Sequence, residues 1–210
     1  VGRELPDNHK YLKFYPKNIW PTQELPDFKN TFLQLLQQLD LVSENLLESI
    51  TTKLDVKKDY FKELVKDGDT KIRMLHYPPI AKDADPNCIR AAAHEDINFI
   101  TLLVAASSSG LELLDKNNQW VPIETDKNNI IVDTGDMMKR ITNDILPSTT
   151  HRVVNPSGPN VSRYSMPFFV HPRPDAVLSC IESCKKDGAK YEDITSQEFL
   201  EQRLKALGLM

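Results

Sequence analysis

The first third of the chain carries the pattern of an amphipathic helix. Between residues 27 and 54 the apolar residues recur at intervals of three and four, which places them on one face of a helix. These positions are Phe28, Phe32, Leu35, Leu36, Leu39, Leu46, Leu47, Ile50 and Leu54. A shorter helix is predicted over 60–65, ending at the turn sequence DGD at 67–69. We therefore expect a long helix with one buried face.

The pattern changes after Thr70 to short runs rich in Ile, Val, Leu and Thr. Pro, Gly, Asn and Asp interrupt these runs about every eight to twelve residues, a spacing typical of an all-β sandwich or barrel. The predicted strands are 71–77, 90–105, 111–115, 119–123, 129–133, 137–142, 151–154 and 162–170. Eight strands are the number that a jelly roll requires. The predicted fold is therefore mainly β with flanking α-helices.

The predicted elements divide the chain into three parts. Residues 1–70 form an N-terminal arm and a helical buttress, 71–178 form the jelly-roll core, and 179–210 form a helical tail that packs on the core. Thr195 is the predicted N-cap of the tail helix, with Glu198 at the capping-box position. A chain of 210 residues suffices for one domain with a sizeable core. It begins with Val1 rather than Met, and we expect it to be part of a longer polypeptide.

Composition and charge restrict the classes of binding partner that we expect. The chain has 26 basic and 30 acidic residues, a formal net charge of −4, and no basic stripe mixed with aromatic residues, so nucleic acid is not expected as a partner. We expect a small-molecule partner instead. The three cysteines lack the paired spacing of a disulfide framework, which indicates a reducing compartment. No apolar run reaches the roughly 18 residues of a membrane span. We expect a cytoplasmic protein that does not associate with membranes.

Three ionisable residues, His94, Glu95 and Asp96, interrupt the apolar run AAAHEDINFITLL at 91–103. In a strand, residues two apart share a face, so His94 and Asp96 are predicted to project together. A carboxylate facing an apolar interior is costly unless it is paired or bound to a cation. Two imidazoles and one carboxylate on one side of a metal are typical of non-haem Fe(II) oxygenases. Of the five histidines, His151 is the best-placed third ligand, since it opens a late predicted strand.

A second polar group is predicted in the sequence RYSMPFF at 163–169. Arg163 and Ser165 share a strand face, and a guanidinium beside a hydroxyl makes a specific clamp for a carboxylate. Tyr77, in the sequence LHYPP, can donate to the same carboxylate. Taken singly, Arg163 would be interpreted as part of a surface ion pair and Tyr77 as an aromatic residue of the core.

Together these motifs resemble the Fe(II)- and 2-oxoglutarate-dependent dioxygenases, in particular the isopenicillin N synthase-like branch. The similarity extends from Ile72 to Pro174, in the order that the family follows. The matching segments are IRMLHYPP, AAHEDINFITLL, GLELLDKNNQWVPI, VDTGDMMKRITND, PSTTHRVVNP and RYSMPFF. The resemblance implies a double-stranded β-helix of the cupin-like jelly-roll type, with a helical N-terminal region against one sheet.

The resemblance also implies the roles of the site residues. Fe(II) would be bound by His94, Asp96 and His151. The distal carboxylate of 2-oxoglutarate, the co-substrate, would be bound by Arg163, Ser165 and Tyr77. The implied reaction couples oxidative decarboxylation of 2-oxoglutarate by O2 to oxidation, usually hydroxylation, of a small-molecule substrate. Strand parity and the layout of the family predict four substrate contacts: Arg90, Asn98, Asn143 and Phe169.

Two alternatives stay open at this stage. An oxidase like isopenicillin N synthase uses iron and O2 without 2-oxoglutarate, and its Arg-x-Ser pair and Tyr hold a substrate carboxylate instead. Glu95, in the middle of HED, resembles the synthase, whereas the terminal sequence LGLM lacks its C-terminal glutamine. A non-catalytic jelly-roll binding module is the second alternative. It would be expected to lose ligand residues, and all six predicted positions are intact.

Overall fold

The computed structural model describes residues 1–104, 106–124, 126 and 128–210. The helices are α1 (Phe28–Thr51), α2 (Tyr60–Val65), α3 (Asp136–Ile141) and α4 (Ser196–Ala206), with a 3₁₀ turn at Glu182–Cys184. The strands are β1 (Lys71–Ile72), β2 (Leu75–Tyr77), β3 (Ala91–His94), β4 (Ile100–Val104), β5 (Leu111–Leu114), β6 (Trp120–Pro122), β7 (Ile130–Thr134), β8 (His151–Val153) and β9 (Arg163–Val170). None of the helices in these ranges has the length and apolar character needed to cross a bilayer.

The strands form two antiparallel sheets. In the larger sheet the order is β1-β9-β4-β7, and β2 also pairs with β9. In the smaller sheet the order is β3-β8-β5-β6. Apart from the β5-β6 hairpin, strands that are neighbours in space are therefore distant in sequence, as in a jelly roll. The predicted fold class, mainly β with flanking helices, is confirmed.

Alternation along the strands of the larger sheet separates the core from a cavity between the sheets. On β4, Ile100 and Leu102 join the hydrophobic core, whereas Thr101 and Leu103 line the cavity. On β9, Phe168 and Val170 join the core, whereas 163, 165, 167 and 169 line the cavity. A strand with a period of two residues thus serves both surfaces at once. The cavity wall is therefore built on the same strands as the core behind it.

Helix α1 covers the core side of the larger sheet. Its residues Leu36, Leu39 and Leu47 are buried in the same cluster as Leu102 and Phe168. Burying a leucine side chain contributes roughly 1.5–3 kcal/mol, so this face stabilises both the helix and the sheet. The predicted amphipathic helix is confirmed, and it holds β4 and β9 in place behind the cavity.

One predicted strand is wrong. The sequence pattern predicts a strand at 137–142, but Asp136–Ile141 form helix α3. Met137, Met138 and Ile141 are buried on one side, at a spacing that fits a helical turn. The backbone N–H of Asp136 donates to the carbonyl of Asp96 at 2.8 Å. Helix α3 therefore lies directly against the segment between β3 and β4.

Two other predicted strands are divided. The run predicted at 90–105, of which residue 105 lies outside the described residues, forms β3 and β4, which belong to different sheets, and residues 95–99 cross between them. The amide of Asn98 stabilises the crossing by donating to the carbonyl of Ile100 at 3.1 Å and to Oγ1 of Thr101 at 2.9 Å. The run 71–77 is likewise divided into β1 and β2. The change from one sheet to the other is not visible in the sequence, because consecutive strands of both sheets have a similar apolar composition.

Both terminal segments of the chain are part of the folded structure. Tyr11 and Tyr15 of the N-terminal segment are buried, and the Tyr15 hydroxyl donates to the carbonyl of Asp67 at 2.8 Å. At the other end, Thr195 caps α4 and forms the predicted capping box with Glu198, which is confirmed. The division into parts at 1–70, 71–178 and 179–210 stays a prediction.

Candidate active site

A cavity of about 510 Å³ lies between the two sheets. Side chains from both sheets line it, mostly apolar with a few charged groups. The ionisable residues of its wall are Arg73, Arg90, His94, Asp96, Asp133, His151 and Arg163. A mainly apolar cavity with a few converging polar groups is the ordinary form of a small-molecule site.

The structure brings His94, Asp96 and His151 together in this cavity. Each offers one ligand atom, and these atoms all lie within 4.8 Å of one another. His94 and His151 are opposite each other in the pairing of β3 with β8, and their ring centroids are 4.3 Å apart. Asp96 comes from the crossing segment rather than from β3 itself, so the prediction that it shares a strand face with His94 is wrong. The three side chains nevertheless converge as predicted.

Backbone carbonyls orient both imidazoles. Nδ1 of His94 lies 2.7 Å from the carbonyl oxygen of Ala92, and Nδ1 of His151 lies 3.1 Å from that of Thr149. Because a carbonyl oxygen only accepts, each Nδ1 must carry the hydrogen. In the neutral ring this leaves Nε2 with the lone pair, which is the form in which an imidazole binds a metal.

A hydroxyl fixes the carboxylate of the cluster. Thr101 Oγ1 donates to Oδ2 of Asp96 at 2.5 Å, and the same hydroxyl accepts from Nδ2 of Asn98 at 2.9 Å. Hydrogen bonds of this kind to metal ligands set both their orientation and their basicity. Two nitrogens and one oxygen are a donor set that suits Fe(II) and leaves other positions open.

Asp133 is a further acidic residue that the sequence reasoning missed. It lies on β7 in the cavity wall, and its Oδ2 is 3.7 Å from Nδ1 of His151. Burial, and secondarily the charge of Asp96, raises the pKa of Asp133 to about 7. The one signal in the sequence was an acid within the strand-forming run IIVDT at 130–134. A carboxylate in an otherwise apolar strand is costly to bury unless it has a partner, so Asp133 was a candidate for a polar site.

Arg163 is buried at the same cavity. Its side chain is among the largest fully buried ones, and Nε donates to the carbonyl of Ser108 at 3.1 Å. Within the described residues its Nη1 is buried without a hydrogen-bond partner, and no carboxylate forms an ion pair with the guanidinium. Burial lowers the pKa of this guanidinium. A buried cation with an unused donor is the local signature of a site for an anion.

The pairing of β2 with β9 completes this polar end. Tyr77 is opposite Arg163 and Leu75 is opposite Ser165, and all four residues line the cavity. The guanidinium carbon of Arg163 lies 5.3 Å from the centre of the Tyr77 ring. The three residues predicted for carboxylate binding are thus together, on the same cavity as the His-Asp-His cluster. The groups fit a metal ion and a carboxylate ligand side by side.

Of the four predicted substrate contacts, the structure brings two to this cavity. Arg90 and Phe169 line it. Asn98 is fully buried and uses its amide within the crossing segment, outside the cavity wall. Asn143 is also outside, since its amide donates to the carbonyls of Cys184 and Gly188 at 3.0 and 3.1 Å. Asn143 instead joins the end of α3 to the C-terminal segment, a role that strand parity could not reveal because α3 is helical.

Comparison with known proteins agrees with this geometry. Residues 68–172 match the family model described as the 2OG-Fe(II) oxygenase superfamily. The 2-oxoglutarate-Fe(II) type oxidoreductase hxnY of Emericella nidulans is 34% identical over 211 residues, covering 95% of this chain and 60% of that protein. The chain spans 57 to 60% of the length of this and two further curated relatives.

Solved structures show the same architecture. A Caulobacter crescentus protein assigned to the 2OG-Fe(II) oxygenase family superposes with a TM-score of 0.90 at 43% identity, over 99% of this chain and 68% of that chain. A full-length Neurospora crassa protein, crystallised in complex with alpha-KG, superposes with a TM-score of 0.87 at 31% identity, over 99% of this chain and 64% of that chain. The family model covers half of the sequence and includes all of the residues that form the two polar groups of the cavity, so this chain belongs to the 2OG-Fe(II) oxygenase superfamily.

Proposed function

We propose that this chain carries the active site of an Fe(II)- and 2-oxoglutarate-dependent dioxygenase. The reaction couples oxidative decarboxylation of 2-oxoglutarate by O2 to oxidation of a small-molecule substrate, with hydroxylation as the expected outcome. The observation that carries the proposal is the presence of two groups in one cavity: the cluster of His94, Asp96 and His151, and the buried, unpaired donor of Arg163.

His94, Asp96 and His151 would hold the Fe(II) ion through Nε2 of each imidazole and one carboxylate oxygen. When bound, the metal supplies the dioxygen chemistry that no amino-acid side chain provides. The chain supplies ligand orientation: Ala92 and Thr149 hold the imidazoles through their carbonyls, and Thr101 holds the carboxylate. Each of the three side chains is thus oriented by a contact of its own with the chain.

Arg163, Ser165 and Tyr77 would hold the distal carboxylate of 2-oxoglutarate. Arg163 provides the charge, and the hydroxyls of the other two residues provide further donors. Burial of the guanidinium strengthens the interaction, since water cannot screen it. The co-substrate would then lie in a single orientation, with its keto acid end toward the metal cluster.

The other walls exclude water and contact the substrate. Leu103, Leu111, Leu113, Ile131 and Val153 give the cavity its apolar surface. This surface would protect the reacting groups from side reactions with solvent. We propose that Arg90 and Phe169 contact the substrate, because both line the same cavity.

The 2-oxoglutarate-dependent reaction is favoured over an oxidase that uses O2 alone. Several relatives are named as 2-oxoglutarate-Fe(II) type oxidoreductases, and the Neurospora crassa protein was crystallised with alpha-KG. We also propose a cytoplasmic location, on the basis of cysteines that are all free: Cys88 at the surface, and Cys180 and Cys184 in the interior. The proposed partners are a small-molecule substrate and O2, not nucleic acid or a membrane.

Two measurements test the function. Anaerobic protein with Fe(II) is titrated with 2-oxoglutarate, and the weak visible charge-transfer band of the chelate is expected in the wild type and not in His151→Ala. The absence of the band in the wild type, or an unchanged band in the variant, would refute the assignment. Succinate release is then measured across amino acids, peptides and small cyclic metabolites, and stimulation above the uncoupled background identifies the substrate class.

A further inference from the structure

Three guanidinium groups line the cavity, where the family function requires only one for 2-oxoglutarate, and two of them, those of Arg90 and Arg163, belong to half-buried or buried residues. Arg90 is half-buried, and its Nη2 donates to the carbonyl of Val161 at 2.6 Å. Its Nε is buried with no hydrogen-bond partner among the described residues. Nη1 of Arg163 is likewise buried with no hydrogen-bond partner among the described residues. Two cations of the cavity wall thus each have a buried N–H donor without a partner.

The two cations belong to opposite sheets. Arg90 directly precedes β3 of the smaller sheet, and Val161 lies two residues before Arg163 on the larger sheet. The hydrogen bond from Arg90 to Val161 therefore bridges the sheets next to the polar end of the cavity. The charge of Arg90 is close enough to help lower the pKa of Arg163, although burial is the larger cause.

The acids of the cavity do not neutralise this pair. Asp96 belongs to the metal cluster, and Asp133 lies beside His151. Among the described residues, neither forms an ion pair with Arg90, and no other carboxylate does. Holding an unpaired cation partly out of water costs free energy unless a ligand supplies the opposite charge. The distal carboxylate of 2-oxoglutarate carries one negative charge, which Arg163 balances together with Ser165 and Tyr77.

We propose that the primary substrate carries a carboxylate and that Arg90 binds it. The inference rests on the proposed function and adds the substrate class. The cavity that contains Arg90 also has apolar wall residues from several elements, among them Ala91, Ala92, Val153, Phe169 and Leu207. The substrate is therefore a small acid whose body is apolar and whose charged group lies at Arg90. Arg73 also lines the cavity but is exposed, so water screens its charge.

The test compares matched acids and amides as probes. Full-length protein loaded with Mn(II) and saturating 2-oxoglutarate, which occupies Arg163 without turnover, is titrated calorimetrically with octanoate and octanamide, phenylacetate and phenylacetamide, and indole-3-acetate and indole-3-acetamide. At least one acid is expected to bind roughly tenfold to a hundredfold more tightly than its amide, the range for a charge-assisted hydrogen bond. Arg90→Met is expected to abolish this preference.

Arg73→Met is the matched control, because it removes the same charge from the same cavity wall and is expected to retain most of the preference. Equal binding of every acid and its amide, including no measurable binding of any acid, overturns the proposal. So does an equal loss in the two variants, or a preference that persists in Arg90→Met. The preceding titration with 2-oxoglutarate alone reports separately on the proposed function. If 2-oxoglutarate fails to bind, the acids are titrated into the Mn(II)-loaded wild type and both variants without it, and the same outcomes apply.

Discussion

Thr101 and Asp96 are joined by a hydrogen bond of 2.5 Å between the threonine Oγ1 and the aspartate Oδ2, across the crossing between the sheets. Thr101 is on β4 of the larger sheet, whereas Asp96 follows β3 of the smaller one. The contact therefore attaches Asp96, the acidic member of the His94, Asp96 and His151 cluster, to the larger sheet, whose other face packs in the core. The candidate metal cluster and the packing of the core thus both depend on β4.

Removing this hydroxyl is expected to weaken metal binding. Thr101→Val keeps the shape of the side chain but leaves Oδ2 of Asp96 without its donor, and loss of such a contact typically costs about 10- to 100-fold in metal affinity. Thr101→Ser, which keeps the hydroxyl, is the control and should stay close to the wild type. Mn(II) titration followed by electron paramagnetic resonance measures both. Equal affinities in the two variants would contradict the assigned role of Thr101.

Arg163→Ala is expected to raise the KM for 2-oxoglutarate by the equivalent of about 2–4 kcal/mol, because a buried charge-assisted clamp is lost. Arg163→Lys keeps the charge without the planar fork and should lie between the wild type and Arg163→Ala. Succinate formation at varied 2-oxoglutarate measures the effect. A KM that does not change in Arg163→Ala would mean that the carboxylate binds elsewhere.

Gly135 is expected to tolerate no side chain. A Cβ there would lie 2.5 Å from the backbone oxygen of Asn98 and 2.7 Å from that of Asp96, and backbone atoms cannot move aside cheaply. Gly135→Ala should reduce the free energy of unfolding by about 1–3 kcal/mol, the ordinary cost of overpacking, and should weaken metal binding by displacing Asp96. Gly158→Ala, where a Cβ would have nothing within 4 Å, is the control. Urea denaturation compares the two, and equal losses would show that the contact at Gly135 relaxes freely.

His171 is expected to make the fold sensitive to acid. Burial lowers the pKa of this imidazole from 6.5 to about 3. Because the folded pKa lies below the unfolded one, the stabilisation by the neutral ring is complete above pH 6.5 and is lost as pH falls toward 3. At pH 5 the loss is about 2 kcal/mol. Urea denaturation of the wild type and of His171→Gln between about pH 7 and pH 4.5 should give a shallower decline in the variant, and parallel curves would contradict the assignment.

Local patterns predicted the elements whose residues repeat with a clear period. The apolar face of α1, the capping box of Thr195 and Glu198, and most of the strands followed from spacing alone. The strand predicted at 137–142 failed because Met137, Met138 and Ile141 are apolar in a way that suits a strand or a short helix equally. The choice of helix depended on α3 packing against the crossing segment, which is a contact between distant parts of the chain.

The sequence by itself determined the chemical groups of the candidate site: two imidazoles and a carboxylate for a metal, and a guanidinium with two hydroxyls for a carboxylate. Only the tertiary structure decided how Asp96 reaches the cluster, because the residue leaves β3 and is held by Thr101 from the other sheet. It also decided that Asp133 and Arg90 face the same cavity while Asn98 and Asn143 do not. The physical reason is that the side-chain direction within one strand is a local property, whereas the surface that it faces depends on which strands pair across the two sheets.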